Sequence, residues 1–167
     1  MTDPRPAPPY EAGERDTTVG FLDFLRATIV RKCEGLTEEQ LRSTPTFSAM
    51  TLLGLVRHLT MVERYWFQGV FLDADVEFWW SQEEPDGEWI VPADVTAADV
   101  LAAYKAECQI SNRIVGEYPL ETPSKYAPSD DERASLRWIV VHMVEETARH
   151  AGHADLLREA IDGVTGE

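Results

Sequence analysis

Cysteine is scarce in this chain. Cys33 and Cys108 are the only two in 167 residues, and they form no CxxC or CxxxC spacing. That excludes a disulfide framework and a thiolate metal site, and it leads us to expect a reduced, cytoplasmic setting. Basic residues are also few, with 15 Lys and Arg against 30 Asp and Glu, for a formal net charge of −15 and a pI near 4.6. Such a surface repels phosphate backbones and anionic lipid, so neither nucleic acid nor membrane is expected as a partner. No apolar run approaches the ~18 residues that a membrane span requires. The opening stretch, MTDPRPAPPYEAGERD, lacks the apolar segment of a secretory signal. Strand signals are missing too, with neither period-two alternation nor a hairpin dipeptide, which excludes a sheet-based fold.

What remains is helical pattern. Hydrophobic residues make up 44% of the chain, enough for a core in one domain of ordinary size. Residues 1–15 hold four prolines and are expected to form an extended arm, with residues 16–167 as a single domain. A first helix reads from TVGFLDFLRATIVRKCEGL, with Phe21, Leu22, Leu25, Ile29 and Cys33 on one face and Gly35 as a stop. Thr37 with Gln40 three residues on is a capping-box signature for a short helix ending near Pro45. A second long helix is predicted over 49–72, a third over 96–118 and a fourth over 131–162, stopped by Gly163. Four long helices without strands predict an all-α four-helix bundle. The connection between the second and third, 73–95, is long for a bundle and carries Phe78, Trp79, Trp80 and Trp89. A loop of that kind either covers a site or seals the end of the bundle.

The fourth helix contains VEETARHAGHADLL. At ~100° per residue, His142, Glu146, His150 and His153 fall within a sector about 80° wide. That sector overlaps the apolar stripe of Ile139, Met143, Leu157 and Ile161. Burying an unpaired carboxylate costs several kcal/mol after relaxation, so Glu146 requires compensation. A His–Glu ion pair would supply it. So would a divalent cation shared by Glu146 and His150, which stand at i and i+4. The one histidine away from this helix, His58, also lies mid-seam on a long helix, with Thr51, Leu55, Val62 and Tyr65. His58, Glu146 and His150 together would offer two nitrogens and one oxygen and leave a coordination position open, as in catalytic zinc sites. Neither HExxH nor Glu-x-x-His occurs, which argues against a zincin protease and a carboxylate-bridged di-iron centre.

Together with LGLVRHLTMVERYWF in the second helix, EETARHAGHADLLREAIDG in the last resembles the DinB/YfiT-like superfamily, from about Thr17 to Gly163. These are four-helix-bundle metalloenzymes that include thiol-dependent transferases. Many relatives carry His-x3-His in the last helix. Glu146 at the first of those positions is instead similar to the metal-binding domain of the mycothiol-dependent maleylpyruvate isomerases. The resemblance implies that His58, Glu146 and His150 ligate zinc, or alternatively nickel, and that the chain forms a homodimer. It places His153 beside the ligands or lining the pocket. The chain ends without the further C-terminal domain of the isomerases, which argues against isomerisation as its reaction.

The activity so implied is S-transfer from a low-molecular-weight thiol such as mycothiol to a small electrophile. Metal coordination deprotonates a thiol that would otherwise stay mostly protonated at neutral pH. His153 would orient a ligand or shuttle a proton, and Tyr65, two turns beyond His58, would donate a hydrogen bond to the substrate. Two other readings stay open at this point. One is a metal-free dimeric bundle with a structural or binding role, using its His/Glu layer for packing register. The other is a metal-assisted hydrolase.

Overall fold

The computed structural model describes residues 5–127 and 132–165. It contains four long helices and a short one: α1 (Glu14–Cys33), α2 (Glu38–Arg42), α3 (Leu52–Glu63), α4 (Ala97–Glu117) and α5 (Leu136–Asp162). Among the described residues there is no strand, only an isolated bridge between Pro123 and Ser135. The all-α bundle expected from the sequence is therefore the observed architecture.

The helix ends obey local chemistry. Thr37 and Gln40 form the anticipated capping box on α2, and Thr96 with Asp99 forms another on α4. Thr51 and Ser135 cap α3 and α5 by accepting from Gly54 N and Trp138 N. Gly163 ends α5 at φ 77°, a left-handed conformation that suits glycine. Several boundaries differ from the sequence reading: α1 begins at Glu14, within the expected arm, and α3 at Leu52 rather than residue 49. The last helix was expected from Asp131, which lies outside the described residues, and the observed helix starts at Leu136. The second long helix was expected as one α-helix to Leu72, but it turns into π-helix over Arg64–Phe71. Glu107 on α4 braces this segment: its Oε1 accepts from Arg64 Nε and Nη2 at 2.8 and 2.6 Å, and its Oε2 accepts from Gln68 Nε2 at 2.6 Å. Hydrophobic periodicity does not distinguish such a stretch from α-helix.

The core has two apolar clusters with a polar layer between them. Leu22, Phe67, Ile114, Leu136, Ile139 and Met143 build one cluster, and Ile29, Leu53, Leu59, Tyr104, Ala154 and Leu157 belong to the other. Each long helix crosses between them through polar residues: Arg26 on α1, Glu63 on α3, Glu107 and Ser111 on α4, and Thr147 and His150 on α5, all buried. The order in which each helix meets the clusters fixes its direction. α1 and α5 run one way, and α3 and α4 run the other. Contacts are densest within the pairs α1–α5 and α3–α4, whose members are therefore parallel. A chain leaving α3 must travel back along the bundle before it can begin α4. That is the physical reason for the long 73–95 connection. Phe21, assigned from the sequence to the apolar face of α1, is 50% exposed.

Candidate metal centre

α3 and α5 each bring polar side chains to the interior at the level of the middle layer. His58 is buried on α3, and Glu146 and His150 sit one turn apart on α5. Glu146 Oε1 lies 3.4 Å from His58 Nε2 and 3.2 Å from His150 Nε2. One potential ligand atom from each of the three residues falls within 4.8 Å of the other two. The three residues singled out from the sequence thus converge from two helices.

The returning connection completes the site. A 3₁₀ turn, Gly87–Trp89, delivers two residues to His58. Glu88 Oε1 lies 3.0 Å from His58 Nδ1. The Trp89 ring stacks on the imidazole, with centroids 4.0 Å apart and planes 10° apart. α3 allows this approach through Gly54, where a Cβ would stand 2.6 Å from the Trp89 carbonyl oxygen. On the other side, His153 Nδ1 lies 3.3 Å from His150 Nδ1. Each histidine of the cluster therefore turns Nε2 towards Glu146 and Nδ1 towards an outer partner. Spacing pointed to Glu146, His150 and His153, but no periodicity could place Glu88, a loop residue that acts through tertiary packing.

Electrostatics act on the two α5 members of the cluster. Burial lowers the His150 pKa, and His58 lowers it further, against an opposing pull from Glu146. Burial pushes the Glu146 carboxyl up, yet His150 and His58 together hold it below its ordinary value. The result is a carboxylate beside an imidazole that resists protonation.

Tyr65 and Trp66, consecutive on the π-helical segment, line two open clefts. The inner cleft, about 320 Å³, reaches His58 and Glu88 and is also walled by Met61 and Trp80. The outer, about 550 Å³, is bounded by Val70, Ser135 and Trp138. π-helical segments recur at functional sites. Here the segment presents two adjacent aromatic rings to the clefts while Phe67, Val70 and Phe71 remain buried. The cleft-facing residues do not include His153, which stands behind His150. His142 stacks on Trp138 with centroids 5.1 Å apart and takes no part in the cluster.

These features can be set beside known proteins. The crystal structure of a conserved protein from Enterococcus faecalis superposes with a TM-score of 0.63. The match covers 92% of this chain and 100% of that one at 12% identity, which shows a shared fold alone. No curated protein matches significantly. The sequence profile of mycothiol-S-transferase matches residues 17–163, a span that includes α3, α5, the clefts and all three converging side chains. With nearly the whole bundle inside that match, the chain belongs to the mycothiol-S-transferase family.

Proposed function

We propose that the protein is a metal-dependent S-transferase that joins a low-molecular-weight thiol such as mycothiol to a small electrophile. The observation that carries this reading is the convergence of His58, Glu146 and His150, with His58 lining an open cleft. Their chemistry fits a divalent cation, zinc or nickel. Imidazole nitrogen and carboxylate oxygen are ordinary ligands for both metals. Donors sharing one such ion would lie about 3.3–3.6 Å apart; the two separations at Glu146 are 3.4 and 3.2 Å, and the set as a whole falls within 4.8 Å. The outer partners support the same assignment. Glu88 Oε1 stands where it would accept an Nδ1 proton of His58, and His153 Nδ1 where it would accept that of His150, tautomers that would leave both Nε2 lone pairs towards Glu146 Oε1.

A divalent cation held by His58, Glu146 and His150 would lower the pKa of a thiol bound beside it, so that the thiolate would form near neutral pH. The chain's residues do the rest. His58, Glu146 and His150 fix the site, Glu88 and Trp89 hold the His58 ring in plane, and His153 orients His150. The Tyr65 hydroxyl donates a hydrogen bond to the electrophile in the inner cleft. In the transfer, sulfur bonds to the electrophilic carbon, the displaced group leaves with its electron pair, and the thiol proton passes to solvent.

The test is conjugation of a reporter electrophile by the purified protein with mycothiol, before and after chelation. The expected result is thiol-dependent turnover that is abolished by chelator and restored by zinc or nickel. Turnover without thiol would point to hydrolysis. A melting temperature indifferent to chelator would favour a metal-free bundle.

A further inference from the structure

The inner cleft has an unusual pairing of wall and rim. Its wall is aromatic: Tyr65, Trp66 and Trp80 line it, with Tyr65 meeting Trp66 and Trp80 edge-on at centroid distances of 5.3 and 5.9 Å, and Phe78 packs beside Tyr65 and Trp80 at 5.9 and 4.5 Å. Aromatic faces and edges of this kind favour a flat π-system over an aliphatic chain of equal size. The rim comes from the connection between α3 and α4. From Asp73 to Glu88 that segment carries seven carboxylates and no Lys, Arg or His. No Lys or Arg occurs anywhere between Tyr65 and Tyr104. Of the carboxylates, Glu88 lines the cleft itself, and it already faces His58. An incoming carboxylate or phosphate would meet Glu88, with no Lys or Arg among the side chains lining the cleft to receive it. Two basic side chains packed on this segment, Arg57 and Arg64, lie over the Trp79 ring, and Arg64 also binds Glu107.

We infer that the electrophile taken by the inner cleft is an uncharged planar aromatic or conjugated molecule, and that anionic electrophiles are selected against. This names a substrate class for the proposed transferase and rests on that reading. The ring lies against Tyr65 and Trp80, with its electrophilic carbon turned towards His58. On an aryl substrate, sulfur of the thiol forms a C–S bond, the bond from carbon to the leaving group breaks, and that group departs with the electron pair while the thiol proton goes to solvent.

Binding can be measured without turnover. The probes are meta-dinitrobenzene and its carboxylate analogue dinitrobenzoate, which share a flat nitroaromatic ring and differ in charge. Each is titrated into the full chain by calorimetry and by quenching of tryptophan fluorescence, with zinc bound and after chelation. After chelation the neutral ring should bind at least ~10-fold more tightly than the anion, because wall and rim exist without the cation, whereas bound zinc would itself attract the carboxylate. Trp80→Leu, which keeps apolar bulk and removes the flat face, should weaken the neutral probe several-fold and leave zinc stoichiometry unchanged. Equal or tighter binding of dinitrobenzoate to the chelated protein overturns the inference. So does full retention of meta-dinitrobenzene affinity in a folded Trp80→Leu protein. If the ring preference holds but no metal binds, the transferase reading fails and the cleft assignment stands. If zinc binds and the preference is missing, only the cleft assignment fails.

Discussion

Arg26 places its guanidinium against Glu63 with two parallel bonds of 2.7 Å, Nε to Oε1 and Nη2 to Oε2, while Nη1 reaches Asp23 and Asn112. Both partners are buried, so removing either strands the other charge in the interior. Arg26→Met or Glu63→Leu alone should destabilise by about 3–5 kcal/mol in chemical denaturation, and the double variant should recover most of that loss. The cysteines are governed by burial in the same layer and below it. Burial pushes the Cys33 thiol up to about 12, and burial together with Glu63 raises Cys108 even further. Both thiols are therefore protonated at pH 8. Iodoacetamide should leave both unmodified in the native protein over times that label them fully in denaturant, consistent with a nucleophile supplied from outside the chain. Glu88 is a third single-residue case. Glu88→Gln keeps the shape and removes the charge that holds His58 Nδ1–H, so zinc affinity should fall by roughly 10- to 100-fold in a competition titration with a chromophoric chelator.

At the scale of elements, the 73–95 connection and the π-helical segment shape the surroundings of His58. The connection returns along the molecule because α3 and α4 are parallel, and in returning it lays Glu88 and Trp89 on His58. Gly54 is where that path touches α3. Gly54→Ala would drive a methyl into the Trp89 carbonyl and the Thr51 side chain, although alanine is otherwise the better helix former. Thermal unfolding should show a loss of about 1–3 kcal/mol, and tryptophan emission should shift as Trp89 leaves its stacked position. Sequence pattern exposed the existence of this loop and its aromatic content but not its course, because a residue such as Glu88 obeys no helical period. The π-helical turn was hidden for a related reason. Tyr65 and Trp66 are adjacent, and in a sequence reading only one of two neighbours can belong to a helical seam.

For the whole molecule, the legible part was the set of four long helices and the overlap of ionisable with apolar positions on the last of them. Apolar recurrence in the windows around Leu22, Leu55, Tyr104 and Leu157 is what burial selects, and those residues are buried. His58, Glu146 and His150 were legible as a group because each breaks an otherwise apolar seam. The opposite half of the layer was not. Nothing in the sequence pattern marks Arg26 and Glu63, since an ion pair across the bundle leaves no trace in the spacing along either helix. The central claim is that the His58–Glu146–His150 cluster holds a divalent cation. Elemental analysis of the purified protein tests this most directly, beside His58→Ala and Glu146→Gln prepared in the same way. The account predicts about one zinc or nickel per wild-type chain and a loss of at least ~10-fold in each variant that remains folded. Equal metal content in all three proteins, or none in a wild-type protein supplied with zinc and nickel, would contradict it.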